Sequence, residues 1–163
     1  MARHDPQATA PTVSDDDLYL LGEGTQFRLY DHLGAHRHVT QQASGIRFAV
    51  WAPNASQVQV VGDFNDWDGT HHDMEKRIPS GVWELFIPDL GLGNKYKFRV
   101  TDSQGATNDK CDPFGFSAEV PPRTANVVVD LDEYHWNDHD WMSQRKTKNW
   151  LEQPISVYEI HLG

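Results

Sequence analysis

The chain has 163 residues and a net charge of −10. That length suits one domain with a real core plus some additional segments, and a negative field of this size argues against binding nucleic acid or an anionic membrane. A single cysteine, Cys111, allows no intrachain disulfide and suits a reducing, cytoplasmic compartment; no apolar stretch is long enough to span a bilayer, and the N-terminus lacks the apolar centre of a secretory leader.

Residues 1–13 carry Ala, Thr, Pro and Gln without an apolar period and read as a disordered tail. Ser14-Asp15-Asp16-Asp17 is a helix start, a hydroxyl cap followed by carboxylates at the positive end of the dipole. A short helix through Leu18, Tyr19, Leu20 and Leu21 follows, ended by Gly22 and Gly24. The stretch Phe27 to His36 is apolar enough to dock on something, yet too short and glycine-bound to be a domain. Residues 14–44 are therefore read as a docking segment.

Gly45 opens a β region. Ile46, Phe48 and Val50 alternate with Arg47, Ala49 and Trp51, and Ala52-Pro53-Asn54 closes the strand. A second strand, Gln57 to Val61, follows at hairpin distance and stops at Gly62. The cluster Asp63-Phe64-Asn65-Asp66 has turn chemistry, because short amide and carboxylate side chains bond the nearby backbone. It carries two large aromatics, Phe64 and Trp67, of which one is expected under the sheet and the other on the rim. A short strand is possible near Met74 to Arg77, and Val82 to Ile87 is a clear one. In Lys95 to Val100 the alternation is strict: Tyr96, Phe98 and Val100 point one way, and Lys95, Lys97 and Arg99 form a basic stripe on the other. Residues 106–109 suit an edge strand, Pro113 and Pro121-Pro122 force an irregular extended passage, and Asn126 to Asp130 is the last strand of the set. Many short strands between turn signals indicate an all-β, immunoglobulin-like β-sandwich of about one hundred residues, here 45–131.

Residues 132–153 read as a polar linker punctuated by Trp136, Trp141 and Trp150. The apolar run Ile155 to Ile160 then resembles a buried strand with no place in the sandwich.

The motifs that carry a family resemblance are Glu23-Gly24-Thr25 with Leu33-Gly34-Ala35-His36, Phe48-Ala49-Val50-Trp51-Ala52-Pro53-Asn54-Ala55, Gly62-Asp63-Phe64-Asn65-Asp66-Trp67, Tyr96-Lys97-Phe98, Asp112-Pro113-Phe114 and Tyr158-Glu159-Ile160-His161-Leu162-Gly163. Together they resemble the N-terminal part of glycogen branching enzymes over residues 18–163. The resemblance implies a glycogen-binding-type carbohydrate-binding module at 45–131 and, at 154–163, the first strand of a (β/α)8 barrel that a chain of this length cannot contain. Family members move α-1,4-glucan segments onto a 6-hydroxyl through a carboxylate nucleophile and a carboxylic acid. None of the acidic residues here matches those groups, so no catalytic residue, cofactor or metal is expected in residues 1–163. The expected partners are α-glucan and the barrel itself.

By position, related modules imply three sugar contacts: Trp67 for stacking, with Lys97 and Asn126 for hydroxyl groups. One indole face buries on the order of 80 Å², worth roughly 2 kcal/mol. A millimolar affinity needs about 4 kcal/mol, and each added hydrogen bond supplies about 1 kcal/mol, so the site is millimolar at best for a short oligosaccharide. Alternative readings are a module that only orients the barrel, and the same module in a debranching or trehalose-releasing hydrolase. Each residue also has a bland reading: Trp67 packed on the sandwich edge, Lys97 a solvated strand lysine, and Asn126 a turn residue. Trp51 and Trp83 are expected in core or interface, and His71-His72-Asp73 in a solvated loop without a structural-zinc pattern.

Overall fold

The computed structural model describes residues 13–39 and 43–161. They fall into two compact units that divide between Asp130 and Leu131.

The first unit is an all-β sandwich with one helix. Helix α1, Asp15–Glu23, begins where expected: the Ser14 hydroxyl accepts the Asp17 N–H at 3.1 Å. It runs through Gly22 and ends at Gly24, whose left-handed backbone (φ 71°) lets its N–H cap Leu20 and Leu21. One sheet has the order β1-β2-β5-β4, with β1 Gly34–Val39, β2 Ser44–Trp51, β4 Glu75–Arg77 and β5 Val82–Pro88. The other runs β3-β6-β7, with β3 Gln57–Gly62, β6 Lys95–Thr101 and β7 Thr107–Lys110; a two-residue β8, Asn126–Val127, also pairs with β6. Pairing within the named strands is antiparallel throughout.

Period-two alternation sends one row of each sheet inward. Ile46, Phe48, Val50, Trp83 and Ile87 from the first sheet meet Val58, Val60, Tyr96 and Phe98 from the second in a single core. Burying each such side chain contributes roughly 1.5–3 kcal/mol. The outward row of the first sheet is covered as well: Ala49 and Val82 pack with Val13, Leu18, Leu21, Leu29 and Leu33.

Four expectations are corrected. Strands β2 and β3, close in sequence, do not form a hairpin; they lie in different sheets, because five residues of Ala-Pro-Asn-Ala-Ser carry the chain across the core instead of back along β2. Residues 34–39 are not merely a docking segment but an edge strand, paired with β2 from Gly34↔Ala49 to Val39↔Ser44. Val13, assigned to the tail, is 4 % exposed, and its N–H donates to Glu84 at 2.6 Å; the rest of that tail lies outside the described residues. The last strand is shorter than Asn126–Asp130 and ends at Val127.

The second unit holds a 3-10 turn at Leu131–Glu133, helix α2 at His139–Gln144 and a 3-10 turn at Trp150–Glu152. Tyr134 and Trp136 meet edge to face at 4.8 Å. Residues 154–160, expected as a barrel strand, form no strand here, and Ile155, Val157, Tyr158 and Ile160 are exposed. No helix among the described residues is long and apolar enough to cross a membrane.

Candidate functional site

The turn after β3 is built by its own side chains. Gly62 is needed because a Cβ there would stand 2.1 Å from the Lys95 carbonyl oxygen and 2.6 Å from the Phe64 ring. A 3-10 turn follows at Asp63–Asn65, and then Asp66 (φ 52°) and Trp67 (φ 61°) both adopt the left-handed region. Two consecutive non-glycine residues there cost about 1–3 kcal/mol each and persist only when their surroundings enforce it. The enforcement is visible. Trp67 N–H donates to Gly62 O at 2.8 Å, and the Asn65 carboxamide accepts from Gly62 N–H at 2.8 Å and donates to Val60 O at 3.0 Å. Asp63 accepts the Lys95 N–H at 2.9 Å, which ties the turn to β6.

The two aromatics separate as expected. Phe64 packs against the core, its ring stacked on Phe48 at 6.5 Å, while Trp67 stays half-buried outside that core. The segment after Trp67 folds over the outer face of β3: a Cβ on Gly69 would lie 2.9 Å from Gln59 Cβ, and Asp73 accepts from Gln57 and Gln59 at 2.7 and 2.9 Å.

Lys97 sits on that same outer face, directly across from Val61, the residue before Gly62. The basic stripe of β6 is largely neutralised. Lys95 pairs with Glu119 at 3.1 Å, and Arg99 holds Asp109 through two bonds at 2.8 and 3.1 Å; that hydrogen bonding lowers the Asp109 pKa. Lys97 differs, since its ammonium donates to the Thr124 hydroxyl at 2.7 Å and, among the described residues, forms no ion pair.

Asn126 requires a correction. It is 5 % exposed, its oxygen accepts the Asp112 N–H at 2.7 Å, and its amide nitrogen donates to Ser117 O at 3.3 Å. Both ends of the amide are engaged inside the protein, an arrangement that fits a structural role. A Cβ on Gly115 would meet its amide nitrogen at 2.0 Å, so the surrounding loop is moulded around it. Its partner Asp112 also accepts the Tyr96 hydroxyl at 2.6 Å and the Phe114 N–H at 2.8 Å. Burial raises the pKa of both Asp112 and Tyr96. Asn126 and Asp112 thus hold residues 110–117 in place beside β6; the Asp-Pro-Phe motif marks that anchor in the sequence.

Trp51, expected in core or interface, is not in the core. It is 56 % exposed at the end of β2, its indole N–H donating to Ser80 O at 3.0 Å, whereas Trp83 is in the core as expected. His72, read as a solvated loop residue, contacts Asn65 at 3.0 Å and the Phe64 ring edge to face at 5.5 Å. No group of side chains suited to a metal occurs among the described residues.

The turn at the end of β3 therefore carries a half-exposed indole, and the outer row of the second sheet carries amides and one ammonium that, among the described residues, forms no ion pair. Three nearby carboxylates are engaged: Asp68 by Thr70, Asp73 by two glutamines and Asp109 by Arg99. Such a surface suits stacking and hydrogen bonding rather than bond cleavage.

Among solved structures, pullulanase from Klebsiella pneumoniae complexed with maltotriose matches with 28 % identity and a TM-score of 0.50, covering 61 % of this chain and 10 % of that one. Pullulanase from Bacillus acidopullulyticus matches with 28 % identity and a TM-score of 0.50, over 63 % and 12 %. Closer in sequence are 1,4-alpha-glucan branching enzymes GlgB: 50 % identity over 153 residues for Synechocystis sp., covering 94 % of this chain and 20 % of the relative, and 50 % over 156 residues for Rhodopirellula baltica, covering 95 % and 21 %. The chain thus spans about a fifth of the length of the curated relatives it matches. Residues 32–115, which include β1 to β7 and the turn bearing Trp67, match the model of carbohydrate-binding module 48, the isoamylase N-terminal domain, and on that match this chain belongs to the carbohydrate-binding module 48 family.

Proposed function

We propose that this chain is the glucan-binding and scaffolding N-terminal part of a 1,4-α-glucan branching enzyme, acting in the cytoplasm in glycogen synthesis. The observation that supports the reading is the tying of the half-buried Trp67 to the end of β3 through Gly62, one residue beyond Val61, which pairs with Lys97 on β6. Trp67 stacks on a glucose ring and the Lys97 ammonium donates to its hydroxyl groups. Asn126 acts only indirectly, by fixing the loop of residues 110–117 beside β6. The half-identical branching-enzyme relatives favour this parent over a debranching one, since the pullulanases are more distant.

In this reading the chemistry of chain transfer belongs to the barrel, and residues 1–163 bind without cleaving. Two measurements test it. Trp67→Ala should run less retarded than wild type in a glycogen-containing native gel, with about thirtyfold weaker affinity from the loss of roughly 2 kcal/mol of stacking, and with an unchanged melting curve. Equal retardation removes the site and leaves the scaffold reading, which the withdrawal of Asn126 and the single stacking indole favour. Iodine-stained amylose incubated with the purified chain should keep its absorbance spectrum; a spectral shift from branching would overturn the division of labour.

A further inference from the structure

We propose that His72, acting through Asn65, is a proton-sensitive positioning residue for the Trp67 indole: neutral His72 holds the turn in the presenting conformation, and protonation releases it. The inference rests in part on the reading of Trp67 as a sugar platform, because its biological weight depends on what stacks there.

The argument begins with the orientation of one amide. Asn65 Oδ1 faces the Gly62 N–H, which can only donate, and Nδ2 faces the Val60 carbonyl, which can only accept. The carboxamide therefore cannot be reversed. Its second Nδ2 hydrogen points at His72 Nδ1, 3.0 Å away, so that ring nitrogen must carry a lone pair and the proton of the neutral ring sits on Nε2. A protonated imidazole would set N–H against N–H and break the contact.

What this contact holds is the strained turn. Asn65 directly precedes the two left-handed residues Asp66 and Trp67, and its bonds to Val60 and Gly62 keep the turn closed at its base. Phe64, between the core and His72, braces the ring from the other side at 5.5 Å. On the far side, Val60 N–H donates to His72 O at 3.0 Å, which fixes the backbone of His72 to β3. The histidine is thus clamped to the sheet by its main chain and to the Trp67 turn by its ring.

The charged groups around it do not favour the imidazolium. His71 is adjacent and opposes a second positive charge. Asp73 is held by Gln57 and Gln59, and Asp68 by Thr70, while Arg99 of β6 acts on Asp68. No carboxylate bonds the His72 ring among the described residues. Partial burial is the main influence on the ring and pushes its pKa below the ordinary histidine value. The sign follows: the folded turn binds the proton less readily than the unfolded chain, so the contribution of His72 is complete above about pH 6.5 and declines as pH falls below it.

The test compares wild type with His72→Gln, whose side-chain oxygen accepts from Asn65 but does not titrate in this range. Glycogen affinity of the wild type should weaken about fivefold between pH 7.5 and pH 5.0, the equivalent of one lost hydrogen bond, while the variant stays flat. In parallel, the Trp67 indole N–H cross-peak should shift with the protonation midpoint of the His72 ring in wild type and remain still in His72→Gln. A parallel loss in both proteins, or no loss in either, overturns the proposal when glycogen binding is present. If neither protein binds glycogen at any pH, the sugar reading fails and the cross-peak alone decides: movement with His72 supports the positioning role, and a stationary peak overturns it.

Discussion

The outer faces of the two sheets are made by the same alternation and end in opposite circumstances. On the first sheet, Arg47 and Glu84 face outward beneath α1 and the residues before it. Glu84 is 6 % exposed and accepts from Arg77 and from Val13 N–H, with Arg47 at 3.6 Å; Arg47 in turn donates to His32 O, and burial lowers its pKa. Arg77 also reaches Asp15 on the helix at 2.7 Å. On the second sheet, Lys97, Arg99 and Asp109 stay near the surface in separate short-range bonds. Cover decides the difference. Charges beneath apolar cover must be fully partnered, whereas charges in the open can keep capacity for a ligand.

Breaking the covered side should produce the largest effect. Glu84→Ala leaves Arg47 and Arg77 without their shared carboxylate, at an expected cost of about 3–5 kcal/mol, read as the shift in urea midpoint. A midpoint equal to wild type would mean that the network under α1 is not closed. Next in size is Gly62→Ala at the rim of the open face. A Cβ at 2.1 Å from Lys95 O should cost about 2 kcal/mol and displace the Trp67 turn, so that melting temperature and glycogen retention fall together. Retention that survives a lowered melting temperature would detach the site from this turn. The smallest effect sharpens the contrast directly. Asp109→Asn weakens an exposed pair chemically similar to Glu84–Arg77, and should cost only about 0.5 kcal/mol near neutral pH. Because Arg99 lowers the Asp109 pKa, that contribution is present above about pH 4 and is lost as pH falls further. The difference between mutant and wild type should therefore vanish in acid-range melts, and a difference that grows in acid would contradict the assignment.

Much of the sandwich was legible. Tyr96 and Phe98 point inward and Lys95, Lys97 and Arg99 outward, as strict alternation requires, and Ser14 caps α1 as its hydroxyl predicts. The turn bearing Trp67 was legible too, because Asn65 and Gly62 make their bonds within a few residues, whereas the Asp63 bond to Lys95 N–H spans 32 residues and was not. Trp51 shows where pattern stops. Its outward direction follows from parity, but its exposure, with the indole N–H on Ser80 O, is a matter of distant packing.

The sequence by itself determined most strands of the sandwich, the alternation of their side chains and the turn that carries Trp67, since these are set by steric and hydrogen-bonding preferences over a few residues. Only the tertiary structure decided that β2 and β3 part into different sheets, that residues 34–39 complete an edge, that Asn126 is consumed by Asp112 and Ser117, and that His72 braces Asn65. Those outcomes turn on which distant groups compete for the same buried donor, acceptor or apolar surface, and that competition is settled only when the whole chain has packed.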